Sequence, residues 1–287
     1  MKQEAAIAAD YSNIAGMVVR KDGETVYERY FGGCTAESRL NVFSVTKSII
    51  SILLGIALDR GCLGSIDQQV LEFFPEYTPK RGEKVIQRIT IRDMLTMTAP
   101  YKYRYAPLIG PDILTGILTR VTGQSVLDFA KEHLFAPLGI PVEQSITFRS
   151  KEELMAFYES TDLRVWAADP AGVNAGGWGL TLSPMDLAKL GQLYLDGGIW
   201  NGQRLVSERW VRESTAEQSR WAERDLPYGY LWWVLPQEHG FAAMGDGGNA
   251  LYASPDKNLV AAIVSRFQPR VKDRIELIRT YVAPCFD

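Results

Sequence analysis

The stretch Ser44-Val45-Thr46-Lys47 opens a long apolar run, Ser48-Ile49-Ile50-Ser51-Ile52-Leu53-Leu54-Gly55-Ile56-Ala57-Leu58, which ends at Arg60-Gly61. Because this run is apolar on every side, it predicts a helix that is buried all round. Gly61 is placed to end the helix in the left-handed conformation. Ser44 then lies in the first turn, and Lys47 lies one turn further along on the same face.

The pairing of Ser44 with Lys47 suits nucleophilic catalysis. A serine hydroxyl is a weak nucleophile until a neighbouring base removes its proton. A lysine amine can be that base when burial and the positive end of a helix dipole lower its pKa. A Ser-x-x-Lys pair also arises by chance, and a second pair, Ser254-Pro255-Asp256-Lys257, has the Pro-Asp centre of a turn. The two interpretations of Ser44 and Lys47, catalytic pair or coincidence, stay open at this point.

Composition excludes several classes of function. The 287 residues include 46% hydrophobic ones, enough for a large core, and the net charge of −3 does not favour nucleic acid or an anionic membrane as a partner. No apolar run reaches the length of a membrane span, and the first residues lack the apolar core of a signal peptide, so we expect a cytoplasmic protein. The three cysteines, Cys34, Cys62 and Cys285, are scattered and form no metal-ligand spacing. We therefore expect neither metal nor cofactor.

Predicted strands lie at both ends of the chain, with predicted helices between them. Residues 15–31 predict a hairpin that turns at Lys21-Asp22-Gly23-Glu24, and residues 250–264 predict another across Pro255-Asp256. Residues 228–234 are aromatic and predict a strand. Helices are predicted after the caps at Thr90, Ser125 and Ser183, and from Asp112 to Thr122-Gly123. The helix after Ser125 is predicted to run to His133-Leu134.

This order of elements indicates an α+β fold in one domain over residues 1–287. We expect an antiparallel sheet built from both chain ends, about 1–40 and 225–287, and flanked by helices. A mostly helical lobe, about 41–224, is then inserted between the two halves of the sheet.

Several landmarks carry a family resemblance, and they occur in order along almost the whole chain. They are Phe43-Ser44-Val45-Thr46-Lys47-Ser48, residues 90–98, Val121-Thr122-Gly123-Gln124-Ser125, residues 134–140, Gly176-Gly177-Trp178-Gly179-Leu180 and residues 193–198 with Trp210. The chain resembles the class C β-lactamase-like serine hydrolases, which include penicillin-binding DD-peptidases and carboxylesterases. The resemblance implies a β-lactamase/DD-peptidase-like fold. It also implies hydrolysis of a small-molecule ester or amide through an acyl-enzyme on Ser44.

The resemblance also implies roles for residues outside the first motif. Tyr105 stands where the family has the tyrosine that helps to move the serine proton, although Pro107 replaces the usual asparagine. Asp246-Gly247-Gly248 occupies the place of the Lys/His-x-Gly motif, which lies on a strand beside the serine. The amide of Asn249 would pair with that of Ser44 as an oxyanion hole. The alternative for the glycines is a tight turn or bulge.

The segment before Tyr105 is much shorter than in members of the family. Only Ala99-Pro100-Tyr101-Lys102-Tyr103-Arg104 separates Tyr105 from the preceding landmark. Either a loop that covers the site has been lost, or residues are missing from the sequence. We favour the second interpretation, which predicts a step well above about 3.8 Å between consecutive Cα atoms somewhere between Pro100 and Ala106.

Asp246 carries the opposite charge to the residue found at this position in some members of the family. Members of the family that act on β-lactams or wall peptides have Lys or His at this position, near the substrate carboxylate. An ionised Asp246 would repel such a carboxylate. We therefore expect a neutral or cationic ester or amide substrate and weak or no β-lactamase activity.

Other interpretations remain open. The altered motifs are also compatible with a catalytically weakened, penicillin-binding-like domain that binds a ligand or a protein partner. A Ser-His-Asp triad has only His133, on an apolar helix face, and His239, in a loop, to draw on. Trp178 and Trp232-Trp233 belong to the core by default, with a pocket lining as the alternative. No pattern specifies an oligomeric state.

Overall fold

The computed structural model describes residues 10–81, 83–99, 109–221 and 225–286. Its strands are β1 (Ile14–Lys21), β2 (Glu24–Tyr30), β3 (Leu40–Asn41), β4 (Gln144–Ile146), β5 (Val165–Ala167), β6 (Thr181–Leu182), β7 (Ile199–Trp200), β8 (Gln203–Arg204), β9 (Ser219–Trp221), β10 (Leu226–Tyr228), β11 (Trp233–Leu235), β12 (Gly240–Gly245), β13 (Asn249–Ser254) and β14 (Leu259–Ser265). Its α-helices are α1 (Val45–Asp59), α2 (Ile91–Leu95), α3 (Ile109–Thr122), α4 (Val126–Ala130), α5 (Ala136–Leu138), α6 (Lys151–Glu159), α7 (Pro184–Leu195), α8 (Glu208–Ser214) and α9 (Arg274–Leu277).

Shorter helical pieces connect these elements. Two π-helical segments occur at Lys131–Phe135 and Ile278–Val282. Segments of 3-10 helix are Val70–Phe73, Lys84–Arg88, Pro236–Glu238, Asp246–Gly248 and Ala283–Cys285. Within the described residues, no helix is long and apolar enough to cross a membrane.

An eight-stranded sheet joins the two ends of the chain, in the order β2-β1-β14-β13-β12-β11-β10-β9. Every neighbouring pair in it is antiparallel. The register pairs Met17 with Ile263, so β1 from the start of the chain lies directly against β14 from its end. This topology confirms the α+β prediction of an antiparallel sheet made by both chain ends. The division into a sheet lobe and a helical lobe at the predicted bounds stays a prediction.

The inner strands β1, β13 and β14 have apolar residues on both faces, because helices cover this part of the sheet on both sides. On β1, Val18 packs into the larger core with residues of α1 and α7. Its neighbours Met17 and Val19 point to the opposite face, where Ile275 and Ile278 close a second core. Successive side chains of a strand alternate between faces, so this one strand contributes to both cores.

Helix α1 runs through the middle of the larger core. Its residues from Val45 to Ala57 are buried except Lys47, which is half-buried, as the apolar run predicted. Gly61 has a φ of 72°, which confirms the left-handed end. Ser44 occupies the N-cap position of the helix rather than its first turn, and its side chain makes no capping hydrogen bond.

Trp210 of α8 packs directly over Gly55 of α1. The indole Nε1 of Trp210 donates a hydrogen bond to the carbonyl of Ser51 over 3.0 Å. A Cβ atom at Gly55 would overlap the indole ring.

We predict that Gly55→Ala destabilises the protein even though alanine favours helix. The gain in helix propensity is about 1 kcal/mol, whereas overpacking a rigid buried ring costs about 1–3 kcal/mol. The free energy of unfolding in urea should therefore fall. Gly110→Ala in α3 is the control, since its Cβ would lie 3.4 Å from Met94 Sδ, an ordinary contact. A Gly55→Ala protein more stable than the parent would contradict this packing.

The three predicted helix caps, Thr90, Ser125 and Ser183, are all present. Thr90 Oγ1 accepts the N–H of Asp93 over 3.2 Å, and Asp93 returns the bond by accepting the N–H of Thr90 over 2.8 Å. Ser183 and Asp186 form the same reciprocal pair at the start of α7. The capping patterns are local in sequence, so tertiary packing has little influence on them.

Two predicted helix bounds need correction. Helix α3 begins at Ile109, three residues before the predicted start at Asp112. The helix capped by Ser125 passes the predicted end near Leu134 and continues through a π segment to Leu138.

Residues 228–234 form two short strands, β10 and β11, rather than one. Leu231, with a φ of 60°, turns the chain and donates its N–H to the carbonyl of Leu95. The predicted break between Pro100 and Ala106, together with Tyr105, lies outside the described residues.

Candidate active site

Ser44 lies at a sharp corner between β3 and α1. Phe43 turns the chain there with a φ of 48°, a conformation that is uncommon for a bulky residue. Asn41 Oδ1 stabilises the corner by accepting the N–H of Phe43 over 3.0 Å and that of Gly179 over 3.1 Å. This corner presents the half-buried Ser44 side chain at the N-terminal end of a buried helix.

Lys47 reaches back along α1 to Ser44, as the spacing predicted. Its Nζ donates a hydrogen bond to Ser44 Oγ over 2.8 Å. Burial lowers the pKa of Lys47, and the charges of Asp246 and Asp112 oppose that shift. A lowered pKa increases the neutral fraction of the amine, which is the form able to accept a proton.

Asp112 is a site residue that the sequence did not single out. It lies in the first turn of α3 and accepts the N–H of Gly176 through Oδ1 over 2.8 Å. Desolvation raises the pKa of Asp112, while the N–H of Gly176 and the charge of Lys47 lower it. A Cβ at Gly176 would overlap the carbonyl of Pro111, so glycine is needed where this loop docks on α3.

Strand β12 brings Gly245 against the backbone at Ser44. A Cβ at Gly245 would overlap the carbonyl of Val42 and would lie 3.1 Å from the nitrogen of Ser44. Both obstacles are backbone atoms at the fixed corner before α1. The close approach therefore requires glycine at position 245, a residue that the sequence interpretation did not single out.

The motif Asp246-Gly247-Gly248 lies in a different place from the one predicted. It forms the 3-10 turn between β12 and β13 rather than part of a strand. Gly247 and Gly248 have φ values of 76° and 88°, so the turn itself explains the glycines. A Cβ added at Gly247 would lie 3.1 Å from Phe267 Cα, and one added at Gly248 would overlap the guanidinium of Arg274. The tight turn proposed as the alternative is therefore present, and a role of Gly247 and Gly248 in binding substrate stays a prediction.

Asn249 is buried at the base of this turn and holds its shape. Its Oδ1 accepts the N–H of Ser265 over 3.0 Å, and its Nδ2 donates to the carbonyl of Asp246 over 2.8 Å. In the sheet Asn249 pairs with Gly245, and it is Gly245 that contacts the Ser44 backbone. Asp246, the residue directly after Gly245, keeps an exposed side chain.

Aromatic side chains surround the corner at Ser44. The ring of Phe43 lies 5.2 Å from that of Tyr158 and 5.2 Å from that of Phe267, measured between centroids. Tyr158 is in turn 6.1 Å from Trp178 on the glycine-rich loop. Trp178 is half-buried in this group, whereas Trp232 is fully buried in the core.

Both histidines of the chain are described, and neither lies beside Ser44. His133 packs edge-on against Phe129 at 4.6 Å, and burial followed by the charge of Arg60 lowers its pKa. Arg60 is at the far end of α1 from Ser44, about 22 Å away for a helix of 15 residues. His239 is exposed, precedes β12 at the end opposite Gly245, and pairs with Asp256 Oδ2 over 2.7 Å.

Among the described residues, no group of three or more His, Cys, Asp or Glu side chains is arranged to hold a metal ion. The site consists instead of Ser44, Lys47, Asp112, Gly245 and the turn that follows β12. Tyr105 belongs to the residues that are not described, and its role stays a prediction.

Comparison with known proteins gives the family. A family model described as Beta-lactamase matches residues 5–283. The 6-aminohexanoate-dimer hydrolase of Paenarthrobacter ureafaciens is 23% identical over 301 residues, with 86% of this chain and 71% of that protein covered. The octameric penicillin-binding protein homologue from Pyrococcus abyssi has a TM-score of 0.74 at 19% identity, covering 100% of this chain and 77% of that one. A family VIII carboxylesterase has a TM-score of 0.69 at 18% identity, covering 97% of this chain and 95% of that one. Because the family model spans nearly the whole chain, the protein belongs to the beta-lactamase family.

Proposed function

We propose that the protein is a serine hydrolase that cleaves an ester or amide bond of a small molecule through an acyl-enzyme on Ser44. The observation that carries this proposal is the 2.8 Å hydrogen bond between Lys47 Nζ and Ser44 Oγ, formed by a lysine whose pKa burial lowers. Hydrolase and carboxylesterase relatives support the same class of reaction. The alternative of a catalytically weakened binding domain does not account for a nucleophile and a base in contact.

The proposed reaction has two halves. Neutral Lys47 takes the proton of Ser44 as Oγ attacks the carbonyl, and the resulting ammonium returns that proton to the leaving alcohol or amine. Water then attacks the acyl-enzyme, Lys47 removes its proton, and the acid is released while Ser44 is reprotonated. The family resemblance implies Tyr105 as a further proton carrier, and we retain that role in the proposal.

Two backbone amides are proposed to bind the oxyanion. One is the N–H of Ser44, which precedes the first turn of α1, where backbone donors have no partner within the helix. The second is the N–H of Asp246, which follows Gly245 directly; we propose it in place of the Asn249 amide that the family resemblance implies. The contact between Gly245 and the Ser44 backbone supports this choice. Asn249 then acts as a positioning residue through its bond to the Asp246 carbonyl.

The pH dependence of the reaction follows from the charges around Lys47. The pKa of Lys47 is lowered by burial and partly restored by Asp246 and Asp112. Activity should therefore rise with pH as Lys47 loses its proton. This rise should occur at a lower pH than the usual pKa range of a lysine amine.

We predict that Asp112→Asn shifts this acidic limb of the kcat/KM profile to lower pH. Removing the negative charge removes an influence that raises the pKa of Lys47, while an asparagine oxygen can still accept the N–H of Gly176. Asp22→Asn, in the turn between β1 and β2, controls for net charge. A limb that stays in place in Asp112→Asn would show that Asp112 does not act on Lys47.

The experiment that tests the proposed activity compares a short nitrophenyl ester with nitrocefin. We expect the parent to hydrolyse the ester and to act weakly or not at all on nitrocefin, because the exposed Asp246 repels its carboxylate. Since solvent screens an exposed charge, Asp246→Asn should shift the preference towards nitrocefin by about 5- to 10-fold. Efficient nitrocefin hydrolysis by the parent, or an unchanged preference in Asp246→Asn, would contradict the expected substrate charge. A folded parent that hydrolyses neither compound would contradict the proposed activity.

A further inference from the structure

One large apolar side chain beside the nucleophile is left open to solvent. Phe267 is 46% exposed, although its ring contacts those of Phe43 and Tyr158 at 5.2 and 6.0 Å. We call Phe43, Tyr158, Phe267 and Trp178 the aromatic patch. Its members come from four separate parts of the chain. Tyr158 and Phe267 pack on Phe43, the residue before Ser44, and Trp178 packs on Tyr158. An exposed apolar surface at such a place is typical of a binding site.

Asp246 lies where the aromatic patch meets the nucleophile. The residue before it, Gly245, contacts the backbone at Ser44, and a Cβ on the residue after it, Gly247, would lie 3.1 Å from Phe267 Cα. Asp246 is therefore held between Ser44 and Phe267, with its carboxylate exposed. Its charge acts on both sides. It raises the pKa of Lys47, and it adds to the effect of burial, the larger cause, in raising the pKa of Tyr158.

The nearby arginines turn away from Asp246. Arg266 donates through Nη2 to the carbonyl of Gly32 over 3.1 Å and contacts Cys34 Sγ at 3.3 Å. Arg274 is buried behind Gly248, where it donates to the carbonyl of Lys272 and to Asn13. Asp246 does act on the charge of Lys47, but the proposed reaction needs that lysine in its neutral form.

We infer that Asp246 and the aromatic patch form a subsite for an organic cation, such as an ammonium group, carried by the substrate close to the scissile carbonyl. This inference rests on the proposed function and names its substrate class. Aromatic faces attract ammonium groups, most strongly when the cation is weakly hydrated. A carboxylate at the rim adds attraction for a cation and repulsion for an anion.

Three thioesters of similar size test the subsite. They are acetylthiocholine, which is cationic, its neutral isostere 3,3-dimethylbutyl thioacetate, and the anionic S-acetyl-3-mercaptopropionate. We expect kcat/KM of the parent to fall in that order, and the preference for the cation to shrink as salt is added. Asp246→Asn should lower the ratio of cationic to neutral substrate by about 5- to 10-fold, and Phe267→Leu should lower it by about 3-fold.

Controls separate the subsite from net charge and from the reaction itself. Asp22→Asn removes the same charge at the other end of the sheet and should leave the ratio unchanged. A second readout needs no turnover: phenyltrimethylammonium, but not neutral tert-butylbenzene, should slow fluorophosphonate labelling of Ser44 in the parent. If Ser44 is labelled but neither the ratio nor the protection favours the cation, the subsite is wrong and the proposed function stands. If Ser44 is not labelled and no thioester is cleaved, the proposed function itself fails.

Discussion

Ser44→Ala should reduce hydrolysis of nitrophenyl esters to the uncatalysed background, a loss of at least about 10³-fold in kcat. The substitution removes the atom that forms the acyl-enzyme, so Lys47 no longer has a hydroxyl to deprotonate for attack on the ester. Lys47→Ala should come close to the same loss, because Ser44 Oγ would then lack the base that is 2.8 Å away. Steady-state rates with a short nitrophenyl ester measure both effects.

The fold should survive both substitutions, which makes the result interpretable. Ser44 is half-buried, and its side chain forms no cap on α1, so alanine removes little that stabilises the helix. Thermal unfolding followed by circular dichroism should give a similar Tm for Ser44→Ala and the parent. A folded Ser44→Ala protein with parental activity would exclude Ser44 as the nucleophile.

Gly245→Ala should lower kcat by about 10²-fold, the effect of losing one donor to an oxyanion. The new Cβ would overlap the carbonyl of Val42 and crowd the nitrogen of Ser44, so β12 and the amide of Asp246 must move away. Because both obstacles are backbone atoms, no side-chain rotation relieves the overlap. The free energy of unfolding should also fall, by about 1–3 kcal/mol.

Gly64→Ala provides the control for Gly245→Ala. Its Cβ would meet the flexible side-chain oxygen of Gln68 at 3.2 Å, which can shift at little cost. We expect parental kcat in that variant. A Gly245→Ala protein with parental kcat would show that the approach of β12 to Ser44 does not shape the reaction.

The features predicted correctly from sequence are those set by nearby residues. The apolar run after Lys47 specified the buried helix α1, and the reciprocal Thr90–Asp93 cap marked the start of α2. The turn at Asp22-Gly23 similarly specified the hairpin of β1 and β2. Each of these signals lies within one continuous stretch of the chain, and the fold does not override it.

The features that were missed depend on contacts between distant parts of the chain. Gly245 is needed only because the corner at Val42 and Ser44 lies against β12. The sequence alone therefore placed the strand motif beside the serine at Gly247 and Gly248 instead. Asp112 became a site residue because the loop at Gly176 docks on it. A glycine directly before the turn and an acidic residue in a first helical turn were the available signals, and both are common in proteins.

The most direct test of the central claim is to label the protein with a fluorophosphonate and to locate the adduct by peptide mass spectrometry. Our account predicts one adduct, on Ser44, that forms much more slowly in Lys47→Ala and is absent from Ser44→Ala. An adduct on a different serine, or a folded parent protein that takes no label, would contradict it.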